Sequence, residues 1–287
     1  MDGDAGLFTP DSVTWHLHGD PVMWIAGIRA LYLQALHPRA VRGVMENSDF
    51  RSDAWGRLMR TAKYVRTTIY GTTEEAERAG ARVRKIHSML GATDPDTGER
   101  YGVDEPGLLL WVHCAEIDSY LHVARRSGIP LTDAQADRYI AEQRARARLV
   151  GLDADADADA DAVPGDRAAL AAYFESVRPV LAVGADARAV DEFLLRPSTH
   201  PLLIPAREVL WRRVAHLAYA SLPPYAHALY GRPAPDPAVV TRRLRATGTL
   251  LRCVPARLRW QLPPKHILDA IARLGPDARP APYKVGR

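Results

Sequence analysis

Apolar residues recur at helical spacing along nearly the whole chain, and no segment shows the strict alternation of a half-buried strand. The sequence therefore predicts an all-α fold. The predicted helices cover residues 21–37, 52–70, 73–90, 106–126, 133–150, 167–177, 187–195, 205–222, 239–251 and 267–274. Asp20 and Pro21 are typical of a helix start, and we expect Pro38 to stop that first helix.

Two pairs of residues have the spacing of a capping box, in which a hydroxyl and a longer polar side chain satisfy the first N–H groups of a helix. Thr72 precedes Glu75 by three positions, and Thr132 precedes Gln135 in the same way. These pairs predict two firm helix starts. We expect Gly91 to end the first of the two helices in the left-handed conformation.

Two segments lack the helical pattern. Residues 94–105 contain an Asp-Thr-Gly run, which predicts a turn or small hairpin between two helices. Residues 153–162 alternate Asp and Ala, which favours a solvated low-complexity loop. A calcium site there is the weaker alternative, because the glycine turn and terminal Glu of such loops are missing. Neither segment divides the chain, and we predict a single helical domain over residues 11–287.

The composition is that of an ordinary globular protein, with 47% hydrophobic and 25% charged residues. The net charge of +4 is spread among acidic neighbours, so no nucleic-acid partner is expected. The apolar stretch 22–36 is too short for a bilayer and contains Arg29, which argues against stable membrane insertion. Residues 1–10 lack the basic start of a signal peptide, and Cys114 and Cys253 are too few for a disulfide framework. We therefore expect a cytoplasmic protein.

Two histidines fall on or beside the apolar faces of neighbouring helices. His87 lies beside a predicted stripe, and His113 lies among apolar residues of the following helix. The stripe beside His87 consists of Ala76, Ala79, Val83, Ile86 and Leu90. From the residues alone, a structural imidazole is favoured over a ligand. A di-iron site at His113 and Glu116 is less favoured still, because its usual motif runs Glu-x-x-His and needs further carboxylates.

The predicted helix over residues 52–70 has one polar face that is not uniformly charged. Its members are Arg57, Thr61, Tyr64 and Thr68, at positions i, i+4, i+7 and i+11. On an exposed helix this face would simply contact water. Next to a pocket, the same groups could donate hydrogen bonds to a ligand and balance an anionic group such as a haem propionate.

Short motifs in a fixed order give the chain a family resemblance. They are His18-Gly19-Asp20-Pro21, Leu33-Gln34-Ala35-Leu36-His37-Pro38, Arg57-Leu58-Met59-Arg60-Thr61-Ala62, Ile86-His87 and Trp111-Val112-His113. In this order and spacing the chain resembles the rubber oxygenase (latex clearing protein) and MpaB-type oxygenase family. The resemblance is strongest over residues 11–230.

The resemblance implies an all-α domain that holds haem b and oxidises a small lipophilic substrate, such as an alkene or isoprenoid, with dioxygen or peroxide. It implies His87 as the proximal iron ligand, with His113 as the alternative ligand or its neighbour. The implied distal and haem-contacting residues are Arg57, Arg60, Thr61, Tyr64 and His113. A non-catalytic haem carrier or gas sensor is the alternative function, and a metal-free helical binding protein is a third.

The chain departs from the family motif at Arg60, where rubber-cleaving members have a lysine that can bind the iron. A guanidinium stays protonated and has no free lone pair for a metal. We therefore expect the distal iron position to be open, water-bound or closed by another residue. The sequence does not predict the oligomeric state.

Overall fold

The computed structural model describes residues 3–48, 50–152, 162–195, 204–261, 265–282 and 285. This part of the chain is mainly helical, which confirms the predicted fold class. The helices are α1 (Val13–His18), α2 (Met23–Gln34), α3 (Pro38–Asn47), α4 (Phe50–Tyr70), α5 (Thr73–His87), α6 (Pro106–Arg126), α7 (Asp133–Val150), α8 (Arg167–Val177), α9 (Ala185–Leu195), α10 (Ile204–Ala220), α11 (Pro224–Leu229), α12 (Pro237–Cys253), α13 (Ala256–Arg259) and α14 (His266–Leu274).

The predicted hairpin is present between α5 and α6. Strand β1 (Gly91–Thr93) pairs antiparallel with β2 (Arg100–Gly102), and Ala92 lies opposite Tyr101. Both predicted capping boxes also form, at the starts of α5 and α7. The expected role of Gly91 is wrong, because α5 already ends at His87 and Gly91 enters the strand without a left-handed backbone.

The chain around α2 differs from the sequence-based expectation at both ends. Asp20 does not cap α2 directly, and its Oδ1 instead accepts a hydrogen bond from the Val22 N–H at 3.0 Å. Pro38 does more than stop a helix, because it occupies the first turn of α3. His37 caps α3, and its Nδ1 accepts from the Ala40 N–H at 3.4 Å. A short α3 therefore follows α2 almost immediately.

Helix α2 lies at the centre of the main core. It is apolar on nearly all sides, which is typical of a helix surrounded by other helices. It packs most extensively against α6 and also contacts α9 and α10. Ile25, Ile28 and Leu33 of α2 are at most 1% exposed, and Leu110 and Trp111 of α6 are fully buried in the same cluster. The helix pair α2–α6 therefore fixes the position of α6.

A second apolar cluster holds the other side of α4. Val65 and Ile69 of α4 pack there with Trp15 of α1 and with Ile267 and Ala270 of α14. Close to its start α4 is kinked, at the non-helical backbone of Asp53. Outside this cluster, α4 packs against α5, and its Thr68 accepts a hydrogen bond from Arg146 of α7.

Most of the Asp-Ala segment, residues 153–161, lies outside the described residues, and the single-domain organisation stays a prediction. Within the described ranges, no single helix has both the length and the apolar composition needed to cross a membrane. In the part of the chain that the structure describes, residues 167–180 and 185–195 meet those criteria when taken together, and this pair bends by 119°.

We expect Gly80→Leu to destabilise the fold, because α5 approaches α7 most closely at this residue. A Cβ atom at Gly80 would lie 2.8 Å from the Leu149 carbonyl oxygen, which also accepts a 2.6 Å hydrogen bond from Arg84. Overpacking of this kind costs about 1–3 kcal/mol in the free energy of unfolding, which urea denaturation measures. Ala81→Leu on the exposed neighbouring position is the matched control, with an expected change within about 0.5 kcal/mol. Equal stabilities would contradict this packing.

Candidate active site

The first two residues of the polar face of α4, Arg57 and Thr61, form hydrogen bonds with groups close to them in sequence. The Arg57 guanidinium bonds the Ser48 hydroxyl, and its Nη1 lies 3.4 Å from the Val44 carbonyl oxygen at the end of α3. Arginine commonly stabilises a helix C-terminus in this way. Thr61 is exposed and donates to the Arg57 carbonyl oxygen at 3.2 Å. Arg57 thus joins α3 to α4, and Thr61 has a partner within its own helix.

Arg60 lies on a different side of α4. Its Nη1 is 3.1 Å from Asp53 Oδ2, and both side chains are more than half exposed. An exposed pair of this kind adds little to stability. The structure therefore does not bring Arg60 into contact with the buried groups of the same helix.

The second half of the polar face is buried. Thr68 is 1% exposed, and its hydroxyl accepts a 3.2 Å hydrogen bond from Arg146 Nε while it donates to the Val65 carbonyl oxygen at 3.0 Å. The Tyr64 hydroxyl is buried and has no hydrogen-bond partner within the described residues. Burial raises the pKa of Tyr64, against the opposing charge of Arg146. Tyr64 is therefore a neutral hydroxyl with unused hydrogen-bonding capacity.

His87 lies on the buried side of α5. The buried positions of that helix are Ala76 and Gly80, whereas Ile86 of the predicted apolar stripe is 41% exposed. The buried face of α5 is therefore displaced by about one residue from the predicted stripe. The Nδ1 atom of His87 is buried and lacks a hydrogen-bond partner among the described residues. Burial lowers the pKa of His87, the charge of Asp104 opposes this, and the charge of Arg57 adds a smaller lowering effect. The charge of Arg57 therefore acts on His87.

His113 is the more deeply buried of the two predicted ligands. It is 6% exposed, and its Nε2 is buried without a partner in the described part of the chain. Burial, with a contribution from the charge of Arg146, lowers the pKa of His113 to about 3. The imidazole is therefore neutral at physiological pH and retains a nitrogen lone pair or an N–H that nothing satisfies.

Arg146 of α7, whose charge acts on His113, binds several other buried polar groups. Its Nη2 lies 2.9 Å from Oε1 of Glu116 on α6, and its Nη1 donates to Gln143 Oε1 at 3.1 Å. With the bond to Thr68 on α4, one guanidinium that is 5% exposed connects three helices. Two hydrogen bonds and one ion pair thus supply the partners that a buried charge requires.

His18 of α1 extends this group. Its Nε2 is 3.1 Å from the Tyr139 hydroxyl, and its ring centroid is 4.5 Å from that of Tyr120. Burial and the charge of Arg146 lower the pKa of His18 well below its usual value. We call the whole set the Arg146 cluster; it consists of His18, Tyr64, Thr68, His113, Glu116, Tyr120, Tyr139, Gln143 and Arg146.

Sequence reasoning missed Arg146, although a pattern that reveals it exists. Helix α7 carries three arginines at alternate positions, Arg144, Arg146 and Arg148. Only Arg146 continues the line from Tyr139 and Gln143 at helical spacing, and all three residues of that line are buried.

The contacts of Glu116 bear on the di-iron alternative. Its carboxylate is engaged by Arg146, so it does not stand free as a metal ligand. Within the described ranges, no group of three or more His, Cys, Asp or Glu side chains is placed to hold a metal ion. A haem iron, by contrast, needs as few as one axial side chain from the protein.

A comparison with known protein families identifies the family of this chain. The family described as "ER-bound oxygenase mpaB/B'/Rubber oxygenase, catalytic domain" matches residues 15–253. The chain belongs to this family. The match confirms the resemblance carried by the motifs around His18, His37, Arg57, His87 and His113, and it makes an oxygenase the general class of activity. No curated protein and no solved structure matches the chain significantly.

Arg146→Met should destabilise this oxygenase-family domain strongly. The change leaves the mostly buried carboxylate of Glu116 without its cation, and breaking a buried pair in this way costs about 3–5 kcal/mol. Arg138→Met, on the same helix but 52% exposed, should change the free energy of unfolding by less than about 1 kcal/mol. Adding Glu116→Leu to Arg146→Met should restore part of the loss. Urea denaturation of these four proteins and of Glu116→Leu alone tests this, and additive losses of the two single variants in the double variant would argue against the pair.

The buried His113 should make stability depend on pH. In the unfolded chain a histidine has a pKa of about 6.5, whereas burial lowers that of His113 to about 3. The unfolded state therefore binds the extra proton between these values, and the free energy of unfolding falls as the pH decreases from about 6.5. The slope attributable to this residue is at most about 1.4 kcal/mol per pH unit.

His113→Leu removes that titration, so its stability should decline less than the wild type between pH 7 and pH 4.5. His216→Leu, at an exposed position of α10, is the matched control and should keep the wild-type slope. Urea denaturation at several pH values measures the difference. Parallel curves for wild type and His113→Leu would show that His113 is not held neutral by the fold.

Proposed function

We propose that this chain binds haem b and uses it to oxidise a small lipophilic metabolite, such as an alkene or isoprenoid, with dioxygen or peroxide. The observation that carries the proposal is a pair of histidines, the half-buried His87 and the buried His113, each with a buried ring nitrogen that lacks a partner among the described residues. Membership in an oxygenase family supports the reaction class.

The chemistry of the two histidines fits an axial haem ligand. Iron binds the lone pair of a neutral imidazole, and burial lowers the pKa of both side chains and so favours that form. A buried ring nitrogen without a partner is also a costly feature in a protein interior, and a ligand in contact with it would remove the cost. The residues present therefore fit the cofactor that the family resemblance implies.

His87 is our first choice as the axial ligand. It occupies the motif position that the resemblance assigns to this role, and Arg57 of the distal motif lies close enough to influence its pKa. His113 is the alternative, supported by its deeper burial and its unsatisfied Nε2. The charges of Arg146, in the cluster, and of Arg84, on the same helix as His87, both lower the pKa of Tyr64 against the larger effect of burial. Tyr64 therefore interacts with charged groups near both candidate ligands.

Haem supplies the activation of dioxygen or peroxide, and the roles of the chain's own residues follow from their positions. Arg57, once released from the end of α3, can bind a carboxylate of the cofactor. The hydroxyl of Tyr64 can donate a hydrogen bond to a ligand within the buried region. Arg60 has no lone pair for a metal, which supports an open or exchangeable distal position.

The visible spectrum of the purified protein, with a pyridine haemochrome assay, tests the proposal. We expect stoichiometric b-type haem and a shift on addition of carbon monoxide to the reduced protein, because the distal position is exchangeable. Oxygen-dependent turnover of lipophilic alkenes should follow. A protein that stays colourless with ample haem would overturn the proposal, and bound haem without turnover of any substrate would favour a haem carrier or gas sensor.

Single variants identify the ligand. His87→Ala should lose haem or change its axial ligation, whereas His216→Ala, at an exposed position, should keep the wild-type spectrum. If His113→Ala loses haem and His87→Ala retains it, the axial role belongs to His113. Retention of an unchanged spectrum in both variants would exclude the two histidines.

A further inference from the structure

A cavity of about 590 Å³ lies away from the Arg146 cluster. Its wall is formed by α6, α8, α11 and the proline-rich segment before α12, including Pro235 and Pro237. A smaller cavity of about 230 Å³ adjoins it and shares His122 and Phe174. The volume is within the range of about 300–1,000 Å³ that is typical of small-molecule sites. The proline-rich wall is stiff, because each proline fixes one backbone dihedral.

Helix α6 separates this cavity from the candidate active site. His113, Glu116 and Tyr120 of α6 belong to the Arg146 cluster, whereas Asp118 and His122 line the cavity. Residues two positions apart on a helix point about 200° from each other, so the two sets occupy opposite faces. A molecule in the cavity would therefore not contact the residues of the Arg146 cluster on α6.

His122 and Arg126 place hydrogen-bond donors at the cavity wall. Arg126 Nη1 donates to His122 Nε2 at 3.2 Å, so the neutral His122 ring carries its proton on Nδ1. No acceptor for that Nδ1–H occurs among the described residues. Arg126 also bonds Thr241, at 2.9 Å from Nε, which holds the guanidinium in place. The second N–H of its Nη1 has no acceptor among the described residues.

His227 adds a buried polar group to the same wall. It is 1% exposed, and neither ring nitrogen meets a partner in hydrogen-bond geometry among the described residues. Burial lowers the pKa of His227, although the carbonyl oxygens of Ala220 and Leu222 act in the opposite direction. A buried imidazole beside a cavity can thus either donate to or accept from a molecule within it.

The charges at the wall largely neutralise one another. Arg29 Nη1 is 2.7 Å from Asp118 Oδ2, and Glu175 is 2.6 Å from Arg178. Asp236 accepts hydrogen bonds from two backbone N–H groups at the start of α12. The remaining wall is apolar and includes Phe174, Leu222 and two consecutive prolines. The lining carries two arginines, Arg29 and Arg126, and three carboxylates, so its charges nearly balance, and its apolar part offers a matching surface to an apolar molecule.

We infer that this cavity is a second binding site, which takes a neutral, mostly apolar molecule carrying one carbonyl or hydroxyl oxygen. The oxygen accepts hydrogen bonds from His122 and Arg126, and the hydrocarbon part contacts Phe174 and the proline-rich wall. The inference is independent of the cofactor proposed above, because it uses none of the residues assigned to the haem.

Binding of 2-octanone to the full chain, measured by saturation-transfer NMR titration, tests the site. Ala171 and Ala172 are both exposed residues of α8, but only Ala171 lines the cavity. Ala171→Trp should fill the cavity and raise the Kd by about tenfold or more, and Ala172→Trp should stay within about twofold of the wild type. His122→Leu should raise the Kd by about 3- to 10-fold through a lost hydrogen bond.

Three results would overturn the inference. The first is no binding of 2-octanone by the wild type, and the second is an equal effect of Ala171→Trp and Ala172→Trp. The third is tighter binding of octanoate than of 2-octanone, because it would show a site for an anion. Circular dichroism of each variant confirms that loss of binding does not reflect unfolding.

Discussion

The buried charge of Arg146 is the constraint on which the candidate site depends. A guanidinium removed from water must be matched by acceptors in fixed directions, and here these come from Thr68, Glu116 and Gln143. The requirement fixes α4, α6 and α7 relative to one another. Burial keeps the His113 imidazole neutral, and the charge of Arg146 adds to that effect. The same buried arginine thus contributes both to the packing and to the protonation state of the site.

Helix α6 has a different role on each of its sides. One side contacts the central helix α2, where Arg29 donates a 2.8 Å hydrogen bond to the Ser119 hydroxyl. Another side contributes His113 and Glu116 to the Arg146 cluster. The side that carries His122 faces the proline-walled cavity. A single helix of mixed apolar and polar composition therefore separates two regions of different chemistry.

The site could be predicted from the sequence in part. The motifs located His87, His113 and the Arg57 face, and the apolar surroundings of His113 correctly predicted its burial. The sequence could not show that Arg57 binds the end of α3 or that Arg60 faces solvent, because both depend on the kink at Asp53 and on the approach of α3. Arg146 was hidden by its arginine neighbours, from which only its helical spacing to Tyr139 and Gln143 distinguishes it.

The sequence by itself determined the helical class, both capping boxes, the hairpin and the family, because each depends on short-range spacing or on motifs along the chain. Tertiary structure alone decided the rotation of α5, which faces Ala76, Gly80 and His87 inward and leaves Ile86 exposed. The physical reason is steric, because α7 approaches α5 so closely at Gly80 that no side chain fits there. Contacts between distant segments, rather than local preference, therefore select which polar groups are enclosed.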